Sequence, residues 1–365
     1  MSKEIKILHI IDSLGLGGAQ TIVKGIFEYQ LNNQNIFLFA LRNRNILIEV
    51  KHTNVQIFNS SKKYSFRPLF ALKDLIKREE ITILHCHLFK SQIFGFLLKK
   101  IWFKNVKLIF HEHGEIFQGY ITYNLFMRDV KSTINKIIAV SNATKEKLIA
   151  KAGIEENKIT VLSNFVDLNK FNRKNITWNM EGEREKLGIK KGEYVIGFVG
   201  RLAKVKGCEY LLKALPYLNF SYKVLIAGDG PERKKLEKLA VELKITERII
   251  FLGYRSDTVF IYSLLDVLIM PSLSESFGLS VIEAQSMGTP VISSNIPALN
   301  EIIINNENGL MFEVKKSLDL SLKIELMYKD EKARNRFTKN GLESVKKYDL
   351  ENYINNLNKI YEDIK

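Results

Sequence analysis

The sequence predicts an α/β protein built from two doubly wound, Rossmann-like domains. Three observations carry that expectation. Short apolar runs alternate with longer apolar-periodic stretches along both halves, the pattern of βαβ units and parallel sheets. The length, 365 residues, suits two such cores. The alternation also restarts after a polar stretch that ends near Gly192, where Tyr194–Val199 opens a second series of strands.

Composition narrows the function classes. The apolar share, 46%, is ordinary for a soluble globular chain. The two cysteines, Cys86 and Cys208, are too few for a disulfide framework and fit a reducing compartment. The start, MSKEIKILHIIDSLG, reads as a first strand rather than a signal peptide, and no apolar run is long enough to span a bilayer. The formal net charge is +15, of which residues 1–165 carry +11 and the remainder +4. A basic first half implies an anionic partner such as membrane lipid or a phosphorylated acceptor. Nucleic acid is not expected, because no basic recognition helix or zinc-finger pattern is present.

In order along the chain, Ile5–Ile11 reads as a buried strand. It leads through Asp12-Ser-Leu-Gly15-Leu-Gly17-Gly18-Ala-Gln20 into a helix. Glycine there permits a tight turn and close backbone approach to a phosphate. A plain strand–helix turn explains these residues equally well. NAD is disfavoured, because Gln20 stands where a third glycine belongs and Arg42, Asn43 and Arg44, not an acid, follow the strand Ile36–Leu41. The strands Ile81–His87 and Val106–His113 end in His85-Cys86-His87 and His111-Glu112-His113. Alternate residues share a face, which invites a metal. Zinc ligand pairs are usually more separated, so we expect none, and His85 and His111 read as polar strand ends. Leu88–Lys107 mixes aromatic and apolar residues with five lysines and no acid. It suits either a helix lying on an anionic membrane or a core helix with a basic end. Lys62–Lys73 has similar character. Ile137–Val140 and Ile159–Leu162 complete the first series, and Ser163-Asn164-Phe165-Val166-Asp167 leads out of it.

In the second half, Tyr194–Val199 is followed by Gly200-Arg201-Leu-Ala-Lys204-Val-Lys206-Gly207. Arg201 and Lys206 can converge on a phosphate there, although scattered surface cations are common in so basic a chain. Strands Val224–Ala227, Ile249–Leu252 and Val267–Met270 come next. The last opens the string MPSLSESFGLSVIEAQSMGTPVISS: strand, loop, helix, strand. Ser274 and Ser276 are candidate N-caps, Gly288-Thr289-Pro290 stops the helix, and the N–H groups of Phe277, Gly278 and Leu279 point out of its start. Glu283 lies roughly 7–8 Å further along at 1.5 Å per residue, about the distance from a diphosphate to the ribose of one nucleotide. By spacing alone, an ordinary βαβ unit with solvated acids is the favoured reading.

The whole string Glu275-Ser-Phe277-Gly278-Leu279-Ser-Val-Ile-Glu283 resembles the signature of retaining, nucleotide-sugar-dependent glycosyltransferases of family 4. Ala284, Gly288, Pro290, Glu301 and Gly309 also match in place. Gly200-Arg201 with Lys206-Gly207 resembles that family's Gly-Arg-x4-Lys-Gly motif, and Gly17-Gly18 its phosphate-bordering loop. His113 within His-Gly-Glu matches its cleft histidine, and His87 an acceptor-side position. The exit Ser163-Asn164-Phe165-Val166-Asp167 stands where the family usually has Pro-Asn-Gly-Val-Asp, so Ser163 and Phe165 depart from the pattern.

The resemblance implies the GT-B arrangement of two domains facing a cleft. An acceptor-side domain would span residues 1–168, a donor-binding domain 169–347, and a final helix, 348–365, would cross back to the first. It implies a hexosyl- or N-acetylhexosaminyl-transferase that moves sugar from a UDP-linked nucleotide donor to a glycan or lipid-linked acceptor, with retention. The setting implied is cell-surface polysaccharide or lipopolysaccharide-type synthesis. Arg201 and Lys206 would clamp the diphosphate, Glu275 and His113 the sugar, and Glu283 the ribose, with backbone contacts from Gly17, Gly18, Phe277, Gly278 and Leu279. With no Asp-x-Asp triplet, neither metal nor cofactor is expected. The expected location is the cytoplasm, peripheral on the inner face of the membrane. A nucleotide-sugar epimerase on the same fold and a non-catalytic membrane-surface module are the rival readings. The sugar, linkage and oligomeric state are not legible.

Overall fold

The computed structural model describes residues 4–15, 17–30, 33–43, 52–59, 65–114 and 121–365. Expectations that fall on Leu16, Arg44, Lys62–Tyr64 and Glu115 lie outside these. The chain divides into two compact units. The first holds Met1–Asn164 and Leu350–Lys365, the second Phe165–Asp349. The first junction falls four residues before the expected 168, and the chain returns to unit 1 at Leu350.

Unit 1 runs β1 (Ile7–Ile11), α1 (Gly18–Tyr29), β2 (Ile36–Ala40), β3 (Val55–Ile57), α2 (Arg67–Glu79), β4 (Ile83–His87), α3 (Phe89–Ile101), β5 (Lys107–Glu112), α4 (Ile121–Val130), β6 (Lys136–Ala139), α5 (Asn142–Ala152) and β7 (Ile159–Val161). Its sheet is wholly parallel, in the order β3-β2-β1-β4-β5-β6-β7. The strands are apolar nearly throughout because helices cover both faces. One face packs Leu8, Ile10, Leu84, Cys86, Leu108 and Phe110 against Leu72, Phe94 and Leu98 of α2 and α3. On the other, Ile11 and Leu38 meet Val23 and Phe27 of α1.

Unit 2 continues with α6 (Met180–Lys186), β8 (Tyr194–Val199), α7 (Cys208–Ala214), β9 (Tyr222–Ala227), α8 (Arg233–Glu242), β10 (Ile249–Gly253), α9 (Thr258–Ser263), β11 (Val267–Met270), α10 (Leu279–Ser286), β12 (Val291–Ser294), α11 (Pro297–Asn300), β13 (Leu310–Phe312), α12 (Ser317–Lys329) and α13 (Glu331–Ser344). Its parallel sheet has the order β10-β9-β8-β11-β12-β13. The strand order reverses between β8 and β11, whose carboxyl ends therefore open a crevice where ligands of such sheets bind. In unit 1 the same reversal lies between β1 and β4. The last helix, α14 (Leu350–Asp363), belongs to unit 1 and buries Tyr353, Ile354, Leu357, Ile360 and Tyr361, the apolar stripe that helical spacing predicts.

Candidate active site

At the reversal point of unit 2 two loops meet. The loop after β8 carries Gly200–Gly207, and the loop after β11 carries Ser272–Gly278. Leu273 donates its N–H to Val205 O at 2.8 Å, tying one loop to the other. Gly207 sits at φ +63°, and a Cβ there would lie 2.0 Å from Pro271 O. Only glycine allows this approach without displacing backbone. The contact places Lys206 Nζ 2.5 Å from Glu275 Oε1. Ser272 Oγ donates to the same oxygen at 2.8 Å. The Glu275 side chain is only 9% exposed and is held by these two donors. Arg201 is exposed and makes no ion pair among the described residues; Lys206 already has one. The two cations expected to converge on a phosphate thus differ in their surroundings: Arg201 is exposed, and Lys206 is paired with Glu275.

α10 starts at Leu279 with Gly278 as N-cap and no side-chain cap bond, which corrects the expectation that Ser274 or Ser276 caps it. The physical reason is the loop's path. Gly278 takes φ +131°, open to glycine alone, and turns the chain directly into the helix. The first-turn N–H groups of Leu279 and Ser280 lack intrahelical acceptors, as at any helix start. Ser280 Oγ ties the turn to Val199 O of β8 at 2.9 Å. Phe277 is buried edge-on against Tyr348, ring centroids 5.4 Å apart, so it offers its backbone rather than its ring. One turn on, Glu283 is half-buried and accepts from Tyr262 OH at 2.8 Å. Burial pushes its carboxyl up to about 7, against the opposing Tyr262 hydrogen bond and Lys170 charge. Glu275 and Glu283 therefore have different partners: a cation for the first, a neutral phenol for the second.

In unit 1, Gly17 precedes α1 and Gly18 opens it, both exposed, at the carboxyl end of β1. Asp12, just after β1, accepts the Ser91 N–H at 3.0 Å and so ties this loop to α3. Burial raises its carboxyl to about 6, opposed by that bond and by Arg42 and Lys90. The histidines depart most from expectation. His85 and His111 are not polar strand ends but fully buried. β1, β4 and β5 are adjacent and in register, with His9 beside His85 and His87 beside His111. Their period-2 alternation turns His9, His85, His87, His111 and His113 to one face, where Tyr361 of α14 meets them. His113 Nε2 lies 2.9 Å from His87 Nδ1, and His87 Nε2 2.9 Å from His9 Nδ1. Tyr361 OH lies 2.7 Å from His85 Nδ1 and 3.5 Å from His9 Nε2, and His85 Nε2 3.2 Å from His111 Nδ1. Burial holds His9 and His113 down near about 3, and His85, His87 and His111 well below the usual range, so all five rings are neutral.

Sequence reasoning missed His9 and Tyr361 in this cluster, and Ser272 and Tyr262 in the other unit. For His9 a signal existed, since it occupies the same strand position as His85. For Tyr361, some 250 residues from β5, there was none. On α3, the aromatic residues suggested for membrane insertion largely face inward. Phe94 is buried, and Phe96, Trp102 and Phe103 pack partly against the core. The exposed apolar groups nearby are Phe66, Phe70 and Ile101, with Lys73 over the Trp102 ring at 5.0 Å. No described helix is long and apolar enough to cross a membrane.

Two family profiles divide the chain as the units do. "Glycosyltransferase Family 4" matches residues 17–170, and "Glycosyl transferases group 1" matches residues 179–344. The chain belongs to the group 1, family 4-type glycosyltransferases. A UDP-Gal:alpha-D-GlcNAc-diphosphoundecaprenol alpha-1,3-galactosyltransferase of Escherichia coli is 28% identical over 92% of this glycosyltransferase and 91% of its own length. The O-antigen biosynthesis glycosyltransferase WclY, also of Escherichia coli, is 28% identical over 97% and 99%. HepE of Anabaena, solved with UDP, superposes with a TM-score of 0.87 at 20% identity, covering 98% of this chain and 100% of its own, and shows the fold to be GT-B. These matches favour neither the epimerase nor the binding module.

Proposed function

We propose that this glycosyltransferase moves a hexose or N-acetylhexosamine from a UDP-linked donor to a glycan or lipid-linked acceptor in cell-surface polysaccharide or lipopolysaccharide-type synthesis. The observation that carries the reading is the joined pair of loops at the reversal point of unit 2. Arg201, Lys206 and the amides of Phe277, Gly278 and Leu279 bring positive charge and N–H donors to the place where the family signature seats a diphosphate. The lipid-linked acceptor is supported by the diphosphoundecaprenol relative.

In the proposed step the bond from the sugar's anomeric carbon to the diphosphate oxygen breaks. A bond from the acceptor oxygen to the same carbon forms on the same face, giving retention. The acceptor proton passes to the departing diphosphate. Negative charge grows on that diphosphate, so fixed cations there lower the barrier more than they tighten ground-state binding. Glu283 is assigned to the ribose, Glu275 and His113 to sugar hydroxyls, Gly17 and Gly18 to the phosphate-bordering loop, and His87 to the acceptor side. Arg201 and Lys206 supply the charge that metal ions supply elsewhere, so transfer proceeds without metal. We also assign Phe66, Phe70 and Ile101, with Lys73 and Lys100, to an anionic membrane surface on the cytoplasmic side.

Calorimetry with UDP in EDTA tests the donor reading. Binding in EDTA, weakened ten- to a hundred-fold by Arg201→Ala, is expected, since a charged hydrogen bond is worth roughly 1.5–3 kcal/mol. Absence of binding by any nucleoside diphosphate refutes it. Co-sedimentation with anionic against neutral vesicles, repeated with Lys73→Glu and Lys100→Glu, tests the membrane assignment.

A further inference from the structure

We infer that the histidine cluster of unit 1 is a binding site for one borderline transition-metal ion of the Zn2+ or Co2+ kind, ligated by His87, His111 and His113. The hydrogen bonds among these rings run in one order. They form a single line: His113, His87, His9, Tyr361, His85, His111. Every inner ring uses both nitrogens. The line ends at His113 Nδ1 and His111 Nε2, both buried and both without a hydrogen-bond partner. Two unpartnered buried nitrogens at one place need an occupant.

A neutral imidazole carries one N–H and one lone pair. The phenol oxygen of Tyr361 can accept from both sides when its own O–H turns out of the line. His9 and His85 can thus each direct an N–H to it, and the rings behind them can follow in the same sense. Both ends of the line then present lone pairs, which a metal takes and a hydrogen-bond acceptor does not. His87, His111 and His113 each bring a ring nitrogen within 4.8 Å of the others. Tetrahedral zinc with bonds of about 2.0–2.1 Å wants ligand nitrogens roughly 3.3 Å apart, so side-chain shifts on the order of 1 Å complete the site. His87 must give up the hydrogen bond that its Nδ1 accepts from His113 Nε2, and each of the three neutral rings keeps its single proton. Three imidazoles with no thiolate or carboxylate suit Zn2+, Co2+, Ni2+ or Cu2+ rather than Mg2+ or Ca2+. His113 is only half-buried, which leaves a path for the ion and a place for a water as fourth ligand. The rival triad His9, His85 and His87 is fully buried, with every ring nitrogen engaged. The cluster lies within unit 1, and it shares His87 and His113 with the acceptor and sugar roles proposed above.

Titrating the metal-free, full-length protein with Co2+ tests the site. The expected result is one equivalent bound, with visible absorption of four-coordinate intensity that Zn2+ abolishes. The absorption should be lost in His113→Asn and kept in His52→Asn, which changes the one histidine outside the cluster. If His113→Asn misfolds, nitrogen-15 spectra of the unaltered protein answer the same question. Zn2+ should shift the ring nitrogens of His87, His111 and His113 and leave those of His52 in place. Absence of Co2+ absorption, absorption that survives in His113→Asn, or ring shifts confined to His52 overturns the proposal. A buried water is then the occupant of the two nitrogens.

Discussion

Glu283 takes its protonation from its surroundings. Its carboxyl is raised from 4.5 to about 7 by burial. A raised folded-state value means that its contribution to stability is full below 4.5 and is lost as pH climbs through 7. Ionising it should cost unit 2 on the order of 3 kcal/mol between those values, and Glu283→Gln should remove that slope. Urea unfolding at pH 5 and pH 8, in both proteins, measures the difference; identical slopes would refute the assignment. The same group should make UDP binding pH-dependent. Ribose hydroxyls donate to a carboxylate, so affinity should rise by up to about tenfold from pH 6 to pH 8, less so in Glu283→Gln. Glu275 has different partners, Lys206 and Ser272. Glu275→Ala should lower turnover about ten- to a hundred-fold with little change in UDP affinity. If both alanine variants weaken UDP equally, the division of roles between the two acids is wrong.

At the scale of elements, the loops after β8 and β11 depend on one backbone approach. Gly207→Ala would force a Cβ to within 2.0 Å of Pro271 O at φ +63°. We expect a loss of about 2 kcal/mol or more from strain and displaced backbone, together with weaker UDP binding, since Lys206 moves with the loop. A melting curve and a UDP titration of the same sample check it. An unchanged melting temperature with unchanged affinity contradicts the role given to Gly207. Most element positions were legible: Tyr194–Val199 and Val267–Met270 stand as expected, because buried strands bounded by glycine and proline are strong local signals. The short edge strand Val55–Ile57 was not, since three half-buried residues carry no periodicity. Nor was the cap of α10, which follows from the φ of Gly278 and not from the nearby serines.

At the scale of the molecule, the last helix serves unit 1. Tyr361→Phe deletes the hydroxyl that meets His85 at 2.7 Å and leaves a buried ring nitrogen unpartnered. The expected cost is about 1–3 kcal/mol, a fall of roughly 2–10 °C in the melting of unit 1. Deleting Leu350–Lys365 should be worse, because it uncovers the apolar surface under Tyr353, Ile354, Leu357 and Ile360. Calorimetric scans of both variants decide; no change on deletion would show that the helix is an appendage.

The sequence by itself determined the two parallel α/β units, the family, and the signature positions Arg201, Lys206, Glu275 and Glu283, because these rest on local periodicity and on fixed spacing within one segment. Only the tertiary structure decided that Lys206 is held by Glu275, that Tyr262 holds Glu283, and that five histidines and Tyr361 form one buried line. Those pairings join residues 21 to 352 positions apart. They depend on strand order and helix docking, and a side chain's partner across a sheet leaves no trace in the residues beside it in the chain.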